Sequence, residues 1–439
     1  TITIPIIGAS IAGLTTAHSL LSHFTTPNST TTNNNKGPKI KILLINPTPN
    51  FYWAIAAPRI LTKPTAFTES QYLIPIADGF AKYSPDVFEF ILGRATSLDF
   101  ENKVLNVEEC TDPKTLREIK YDYLVIASGS TPSASSTETL FPGEDKDGKN
   151  GEIYPFKLSP TSTTTITEAI KSAQTTISTA KRITIIGAGP IGVEIAGELG
   201  DLITPSSSSP SSSSEGESKK EITLISSTPR ILPTLKPSAS ETATSLLTNK
   251  GVRVLTDRKV ISVSSSSRDN GAGYELKLNN GETLETDIYI PAIGVLPNSS
   301  YIPREVLDER GWVRVDSELK VEGVEGVYAA GDITTHTQKL SFKADEMAGV
   351  VVGNLVDDIN NININGVGNG GKGRGWWRRG CGAGGRKTYD EGNDVMMLVP
   401  VGSSGGTGQA FGWVLVSFMV WLAKGRDYFI WKAKGYVFK

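Results

Sequence analysis

The sequence predicts an α/β protein made of two parallel-sheet domains, and two stretches carry most of that prediction. In the first stretch, the β-branched run Ile183-Thr184-Ile185-Ile186 is followed by GAGPIG and then by the apolar spacing of a helix. In the second, residues 2–7, ITIPII, are followed by GASIAG and another helix pattern. A chain of 439 residues has room for about two or three domains.

The later stretch has the pattern of a dinucleotide-binding turn. Gly187, Gly189 and Gly192 form G-x-G-x-x-G. The first glycine allows a tight turn, the second lets the backbone approach a pyrophosphate, and the third lets the helix pack closely on the strand. N–H groups at the start of the helix can then bind the phosphates. A purely structural turn is the alternative, and the strand–turn–helix order favours nucleotide binding.

The amino-terminal copy departs from the pattern at two points. Gly8 and Gly13 are kept, whereas Ser10 replaces the middle glycine and limits how closely the backbone can approach a phosphate. The next predicted strand, 39–45, ends at Asn46, where an acid that binds the adenosine ribose is expected. Asn46 can bond a hydroxyl but carries no negative charge.

Small and polar residues recur where other predicted strands end. Ala127 and Gly129 follow the strand 123–126 and leave room for a cofactor lying across its end. Asp332 follows the strand in VYAAGD and precedes a helix predicted over 342–356. It either accepts from a cofactor hydroxyl or caps a turn. Arg59 is either a solvated charge or a contact to a cofactor.

The strand predicted over 221–226 ends without an acid. An acid at its end would favour NAD and a base would favour NADP. Ser226 occupies that end and Arg230 lies close by. The sequence therefore slightly favours NADPH.

Charge and cysteine usage exclude several function classes. The net charge is −2, so a nucleic-acid partner is not expected for the chain as a whole. Cys110 and Cys381 lie far apart and form no C-x-x-C, so neither a thiol relay nor a metal site is indicated. No targeting leader is visible, and we expect an intracellular, cytoplasmic protein.

Three low-complexity stretches are predicted to be disordered insertions: 25–38, 204–218 and 357–387. The last contains a basic tract that could alternatively contact RNA or an anionic surface. The segment 411–439 is apolar, aromatic and basic, but its longest uncharged run, 411–423, is too short to span a bilayer. It is interpreted either as an interfacial segment or as a core helix.

Taken as a set, these motifs resemble the two-dinucleotide-binding-domain flavoproteins, and within them the apoptosis-inducing-factor-like group. The resemblance lies in GASIAG at 8–13, AAPR at 56–59, YLVIASGS at 123–130, GAGPIGVEIAGEL at 187–199, IPAIGVLPN at 290–298, VYAAGD at 327–332 and the tail at 411–429. The subgroup depends mainly on AAPR, the tail and the absence of a cysteine pair.

The resemblance implies two Rossmann-like domains, the second inserted in the first, plus a short aromatic and basic C-terminal segment. The FAD-binding domain would comprise 1–160 and 297–356, and the NAD(P)H-binding domain 161–296. The insertion at 357–387 and the C-terminal segment at 388–439 would follow.

The resemblance also implies roles for individual residues. FAD would be bound by Gly8, Ser10, Ala12, Gly13, Arg59, Ala95 through its backbone, and Asp332 at the ribityl chain. Gly187, Gly189 and Gly192 would bind the NAD(P)H pyrophosphate. Glu194 matches a glutamate near the nicotinamide, and Lys424 matches a tail lysine near the flavin and a quinone site.

The function expected from the resemblance is FAD-dependent oxidation of NAD(P)H with a quinone-type small molecule as acceptor. The segment 411–439 could make a peripheral membrane contact, for which the resemblance points to the mitochondrial outer face or a lipid droplet. Two alternatives stay open. One is an NAD(P)H-dependent reductase of a soluble electron carrier such as a ferredoxin, and the other is a non-catalytic, nucleotide-bound signalling protein.

Overall fold

Strands and helices alternate through most of the chain in the computed structural model, which describes residues 1–25, 38–110, 115–133, 156–157, 165–203, 220–268, 271–366 and 386–439. The strands are β1 Ile2–Ile7, β2 Ile40–Asn46, β3 Asn50–Tyr52, β4 Leu73–Pro75, β5 Phe88–Asp99, β6 Val104–Glu109, β7 Leu116–Lys120, β8 Leu124–Ile126, β9 Ser130–Pro132, β10 Arg182–Ile186, β11 Glu221–Ile225, β12 Arg253–Leu255, β13 Val260–Arg268, β14 Gly271–Leu278, β15 Thr283–Thr286, β16 Ile288–Pro291, β17 Val295–Pro297, β18 Val327–Ala329, β19 Met397–Pro400, β20 Gly406–Ala410 and β21 Trp413–Val414. The helices are α1 Ile11–Thr25, α2 Ala57–Thr62, α3 Glu69–Tyr72, α4 Ile166–Thr179, α5 Pro190–Gly200, α6 Pro237–Asn249, α7 Ser341–Gly366, α8 Ser417–Val420 and α9 Ala433–Val437. Shorter helical turns cover Ala54–Ala56, Ala77–Phe80, Arg304–Val306, Gly331–Ile333, Trp421–Gly425 and Ile430–Lys432.

The first sheet has seven strands in the order β18-β8-β1-β2-β5-β6-β7. Its first five strands pair in parallel, and β5, β6 and β7 then continue the sheet in antiparallel pairs. Alternate residues of β1 and β2 belong to different buried clusters on the two faces of the sheet. Burial on both faces explains why these strands are continuous apolar runs rather than alternating patterns.

A second sheet of four parallel strands, β12-β11-β10-β16, is formed by the middle of the chain. The chain leaves the first sheet after β8 and returns to it at β18, which pairs with β8. Strands β9 and β17 pair with each other where the chain leaves and returns. Two parallel sheets, with the second nested in the sequence of the first, confirm the predicted α/β fold class.

Two sequence predictions are wrong in detail. The single strand predicted over 252–263 is two strands, since β12 belongs to the parallel sheet and β13 to an antiparallel sheet with β14 and β15. The helix predicted over 342–356 continues to Gly366, so the disordered insertion predicted from 357 begins inside α7. Residues 26–37, 204–219 and 367–385, where most of the three insertions fall, lie outside the described residues.

The C-terminal segment folds back over both domains rather than forming one helix. Strands β19 and β20 pack on α5 and α6, and α9 packs on α1. Two side chains of the first domain bond to carbonyls of this segment: Trp53 Nε1 donates to Tyr428 O at 2.9 Å, and His18 Nε2 lies 2.8 Å from Val437 O. Within the described residues, no helix combines the length and the apolarity that crossing a membrane requires.

One glycine contact allows this segment to approach α5. A Cβ on Gly197 would lie 2.5 Å from Gly402 N and 2.7 Å from Val401 Cα, so only a residue without a side chain fits there. We expect Gly197→Ala to destabilise the protein by about 1–3 kcal/mol, because the clash is with backbone that cannot rotate away. The midpoint of thermal unfolding, followed by circular dichroism, measures the effect.

Gly349→Ala is the matched control for that substitution. Gly349 also lies inside a helix, but a Cβ there would meet nothing within 4 Å. Alanine should therefore stabilise α7 by up to about 1 kcal/mol through its helix propensity. Equal midpoints for the two variants would contradict the close packing of the segment on α5.

Candidate functional site

The two glycine-rich turns have the same geometry. Gly8 and Gly187 have φ angles of 105° and 107°, a region that favours glycine. A Cβ on Gly13 would lie 1.8 Å from Gly8 O, and a Cβ on Gly192 would lie 1.9 Å from Gly187 O. The third glycine therefore lets each helix begin directly against the turn, with its first N–H groups free for a phosphate.

The middle positions of the two turns both leave room for a ligand. Gly189 is the N-cap of α5, and a Cβ there would meet nothing within 4 Å. Ser10 occupies the equivalent place before α1 and is exposed. A pyrophosphate thus fits at either helix start, and the serine narrows the approach only at the first. Ala12 faces the Asp332 turn, because a Cβ on Gly331 would lie 3.2 Å from Ala12 Cβ.

The expected ribose residue, Asn46, is already bonded to the first turn. Its Oδ1 accepts from Ala9 N at 3.0 Å, and its Nδ2 donates to Thr48 O at 2.8 Å. Asn46 therefore fastens the glycine-rich turn to the end of β2. Its contact with the adenosine ribose stays a prediction, which would use the remaining acceptor capacity of Oδ1.

Ala127 and Gly129 border the first turn at the end of β8. A Cβ on Gly8 would lie 2.3 Å from Ala127 O, so these two backbones are in close contact. Gly129 has a φ of 67°, and a Cβ there would meet nothing within 4 Å. Ala95 is buried at an irregularity in the pairing of β5 with β6, and its backbone contact with adenine stays a prediction.

Asp332 lies across from a lysine that sequence reasoning missed. Lys157 Nζ forms a short ion pair with Asp332 Oδ2, which also accepts from Ser130 Oγ at 3.0 Å. Burial opposes the charged form of Asp332, but the charge and hydrogen bonds of Lys157 outweigh it and hold the pKa below its ordinary value. No local pattern marked Lys157, because its partner is 175 residues away.

A second lysine lies near Asp332. Burial lowers the pKa of Lys339 to about 8. Its Nζ donates to Thr334 O at 2.6 Å and lies 4.0 Å from the ring centre of Trp312. The Asp332 turn is thus flanked by two cations, Lys157 and Lys339.

A cleft connects this turn with the second glycine-rich turn. Phe156, Lys157 and Ile191, which lies at the start of α5, all line this cleft. The remaining lining residues are Pro132, Pro291, Ala292, Gly294 and Val295. Lys157, the partner of Asp332, and Ile191, which follows the second glycine-rich turn, therefore border the same cleft.

Glu194 and Lys424, which are 230 residues apart, form an ion pair in the structure. Lys424 Nζ lies 2.6 Å from Glu194 Oε1 and also donates to Leu398 O at 3.1 Å. The side chains are 5% and 16% exposed. Burial raises the pKa of Glu194, and the nearby Lys424 charge opposes that rise. Both residues were predicted from the sequence as site residues, but their ion pair was not predicted.

Arg59 is bonded to protein groups on α5 and in the C-terminal segment. Its guanidinium bonds to Glu198 on α5, with Nη2 2.7 Å from Oε1, and to Gly425 O and Arg426 O. These bonds use most of its donors. It is buried, so the solvated charge that the sequence left open is excluded. Contact with FAD stays a prediction for whatever donor remains.

Arg230 is also occupied. Its Nη1 donates to Leu235 O at 2.6 Å and to Ser240 Oγ at 3.1 Å, and its Nη2 donates to Pro233 O at 2.8 Å. These bonds brace the loop before α6. The sequence argument that Arg230 favours NADPH is weakened, because the guanidinium is already committed to its own loop.

Residues 3–348 match the family model described as pyridine nucleotide-disulphide oxidoreductase. The chain belongs to this family. Its Rossmann-like turns, with their free helix starts and open glycine positions, fit the two nucleotides that the family uses. The protein is an oxidoreductase with FAD and NAD(P)H as its cofactors, as the sequence predicted.

Relatives extend the family match over most of the chain. The oxidoreductase ptaL of Pestalotiopsis fici is 39% identical over 75% of this chain and 76% of its own. The oxidoreductase phnG of Penicillium herquei is 32% identical over 98% and 94%. Ferroptosis suppressor protein 1 of Taeniopygia guttata is 25% identical over 72% and 73%, which confirms the subgroup resemblance.

One solved structure covers the whole chain. The sulfide:quinone oxidoreductase of Aquifex aeolicus matches with a TM-score of 0.67 and 16% identity, over 100% of this chain and 92% of its own. At that identity the likeness concerns the fold. The sequence contains two cysteines, Cys110 and Cys381, which lie far apart along the chain and form no C-x-x-C.

Substitutions at the middle and third glycines of the second turn should affect nucleotide binding and protein stability differently. We expect Gly189→Ala to keep the wild-type melting midpoint, because its Cβ meets open space. The same Cβ would project where the pyrophosphate approaches, so the dissociation constant for NAD(P)H should rise about tenfold, or about 1.4 kcal/mol. Fluorescence titration with NADH and NADPH measures this constant.

Gly192→Ala is the matched comparison in the same helix turn. Its Cβ would clash with Gly187 O, so we expect destabilisation of about 1–3 kcal/mol or more, together with loss of binding. Wild-type NAD(P)H affinity in the Gly189 variant would show that the nucleotide does not lie over this turn.

Proposed function

We propose that this oxidoreductase passes electrons from NAD(P)H through FAD to a quinone-type small molecule. The balanced reaction is NAD(P)H + H⁺ + quinone → NAD(P)⁺ + quinol. The main support for the proposal is the position of Lys424. It extends from an apolar tail into the junction of the two domains, where it pairs with Glu194. A tail with large apolar side chains exposed on its outside and a nearly buried ammonium on its inside suits an apolar acceptor that must take up protons.

In this proposal, residues of the chain bind and orient the two cofactors and protonate the acceptor. FAD, held at the first glycine-rich turn, would supply the hydride acceptor for NAD(P)H and the electrons for the acceptor. The two glycine-rich turns bind the pyrophosphates and aim both nucleotides at the cleft. Lys157 and Asp332 fix the end of β18 beside that cleft. The Lys424–Glu194 pair supplies a proton to the acceptor from Lys424 Nζ, and burial by the tail excludes water.

The sequence has no C-x-x-C or other closely spaced cysteine pair, which supports direct transfer from flavin to acceptor. A disulphide relay needs two cysteines close together. Cys110 is exposed just after β6 of the first sheet, and Cys381 lies outside the described residues. The proposal therefore assigns no covalent carrier between flavin and acceptor.

The visible spectrum of the purified protein, followed by steady-state assays, tests the proposal. We expect a flavin spectrum that bleaches on anaerobic addition of NADH or NADPH and recovers on addition of a short-chain quinone. Lys424→Met should lower kcat for quinone reduction at least about tenfold, because a positioned proton donor contributes that much or more. A flavin that bleaches but is reoxidised only by a ferredoxin-type carrier would overturn the quinone proposal in favour of the soluble-carrier reductase.

We also propose that the outer face of the C-terminal segment contacts a membrane surface, where an apolar quinone dissolves. Trp413, Phe418 and Trp431 are 77%, 65% and 66% exposed, while Tyr428 and Val437 of the same segment are fully buried. Lys432 lies 5.3 Å from the ring centre of Trp431, in the mixture of aromatic and basic groups that suits a membrane interface. The mitochondrial outer face and a lipid droplet are the candidate locations.

Co-sedimentation with vesicles of phosphatidylcholine and phosphatidylserine tests that contact. We expect the double substitution W413E/W431E to weaken binding at least about tenfold, since each large apolar side chain contributes about 1.5–3 kcal/mol when buried. The control is Leu116→Glu, which removes an equally exposed apolar residue, 63% exposed, from β7. No vesicle binding by the wild-type protein would contradict the proposal.

A further inference from the structure

A buried carboxylate, Glu198, joins three parts of the molecule at one point. It lies on α5, one helical turn after Glu194, and is fully buried. Arg59 of α2 bonds to it with Nη2 2.7 Å from Oε1, and Lys63 Nζ lies 2.7 Å from Oε2. Tyr428 of the C-terminal segment donates its OH to Oε1 at 3.1 Å. Both domains and the tail therefore meet at this group.

Arg59 extends the same connection to the backbone around Lys424. Its Nη2 donates to Gly425 O at 2.7 Å, and its Nη1 donates to Arg426 O at 2.8 Å. These carbonyls belong to the two residues that follow Lys424. The guanidinium carbon also lies 4.8 Å from the ring centre of Tyr428. The turn that carries Lys424 is thus held from its carbonyl side by a group anchored on Glu198.

The backbone after this turn needs such an anchor. Tyr428 and Phe429 have φ angles of 51° and 54°, so two successive residues with side chains adopt the left-handed region. Such conformations persist only where surrounding contacts enforce them. Here Tyr428 is fixed at both ends, since its OH bonds to Glu198 and its carbonyl accepts from Trp53 Nε1 at 2.9 Å.

We propose that Glu198, acting through Arg59 and Tyr428, is the positioning group that places Lys424 beside Glu194. Lys424 is the proton donor of the proposed function, and the inference rests on the proposed function in that one respect. Glu198 itself has no contact with Lys424. Its ion pair with Arg59 sets where the turn lies, and the turn sets where the ammonium lies.

Stability alone is a weaker explanation of the Glu198 contacts. A buried ion pair loses much of its attraction to desolvation, and an apolar replacement of similar volume is often no less stable. A buried pair does constrain direction, because the guanidinium can bond two carbonyls and a carboxylate only in one orientation. The geometry at Glu198 therefore favours positioning.

A double-mutant cycle between Tyr428 and Lys424 tests the inference on the full-length, FAD-loaded protein. Tyr428→Phe removes only the OH that bonds Glu198 and keeps the ring under Arg59. We expect it to lower kcat for short-chain quinone reduction about tenfold, as expected when a reacting group is misplaced. In the Lys424→Met background the same substitution should have no further effect, because its action passes through Lys424.

Two further variants keep the result interpretable. Arg117→Gln removes an ion pair that shares no partner with Glu198, the one with Glu89 on the first sheet, and should leave kcat unchanged. Glu198→Gln keeps the shape and one acceptor oxygen, and it should reproduce the loss seen with Tyr428→Phe and the same absence of effect beside Lys424→Met. Flavin content and melting midpoint identify any variant that has failed to fold.

The outcomes separate this inference from the proposed function. If Tyr428→Phe lowers kcat by the same factor in the wild-type and the Lys424→Met backgrounds, Glu198 does not act through Lys424 and the positioning role is wrong. If the wild-type protein reduces no quinone, the proposed acceptor is wrong. The cycle can then be run on the anaerobic rate at which NAD(P)H bleaches the flavin, because Glu194, the partner of Lys424, is expected near the nicotinamide. A Tyr428 effect that still disappears beside Lys424→Met would support the inference, and one that persists would overturn it.

Discussion

A single steric constraint underlies both nucleotide sites. In each glycine-rich turn the third glycine lies so close to the carbonyl of the first that no Cβ can fit between them, at 1.8 Å in one turn and 1.9 Å in the other. This contact allows the helix to begin immediately after the strand, and its free N–H groups then point at the end of the sheet. The middle position is different, because open space lies beside it at Gly189. Ser10 is therefore tolerated, whereas a side chain at 13 or 192 would separate helix from strand.

That distinction explains how much of the molecule could be predicted from sequence. The turns are local, so the β-branched runs and glycine spacings identified β1, β10 and the helices after them. The parallel pairing followed, since a buried strand joined to a helix needs a neighbour on the same sheet. The end of α7 was missed because an Asn- and Gly-rich composition indicates disorder, while the packing of the earlier part of the helix on α1 stabilises its continuation.

The sequence indicated candidate site residues one by one but not the contacts between them. Glu194 and Lys424 were identified separately, and their ion pair joins positions 230 residues apart. Lys157 could not be identified at all, since a lysine between turns carries no pattern of its own. Arg59 was expected at a cofactor, yet its strongest partner is a carboxylate on the other domain. Long-range pairing of charges depends on how domains dock, and periodicity and spacing report only on each element by itself.

The two faces of the C-terminal segment contact different surroundings. Its inner face must match a buried carboxylate, a guanidinium and the indole of Trp53, so its backbone is held in left-handed conformations at Tyr428 and Phe429. Its outer face has no such partner among the described residues and presents Trp413, Phe418 and Trp431 outward. A surface contact that pulls on the outer face acts on the same short segment that carries Lys424. In the proposed function, the packing of the tail and the placement of the Lys424 ammonium therefore depend on the same short segment. A ligand or membrane that favours the docked tail also favours the arrangement in which Lys424 meets Glu194.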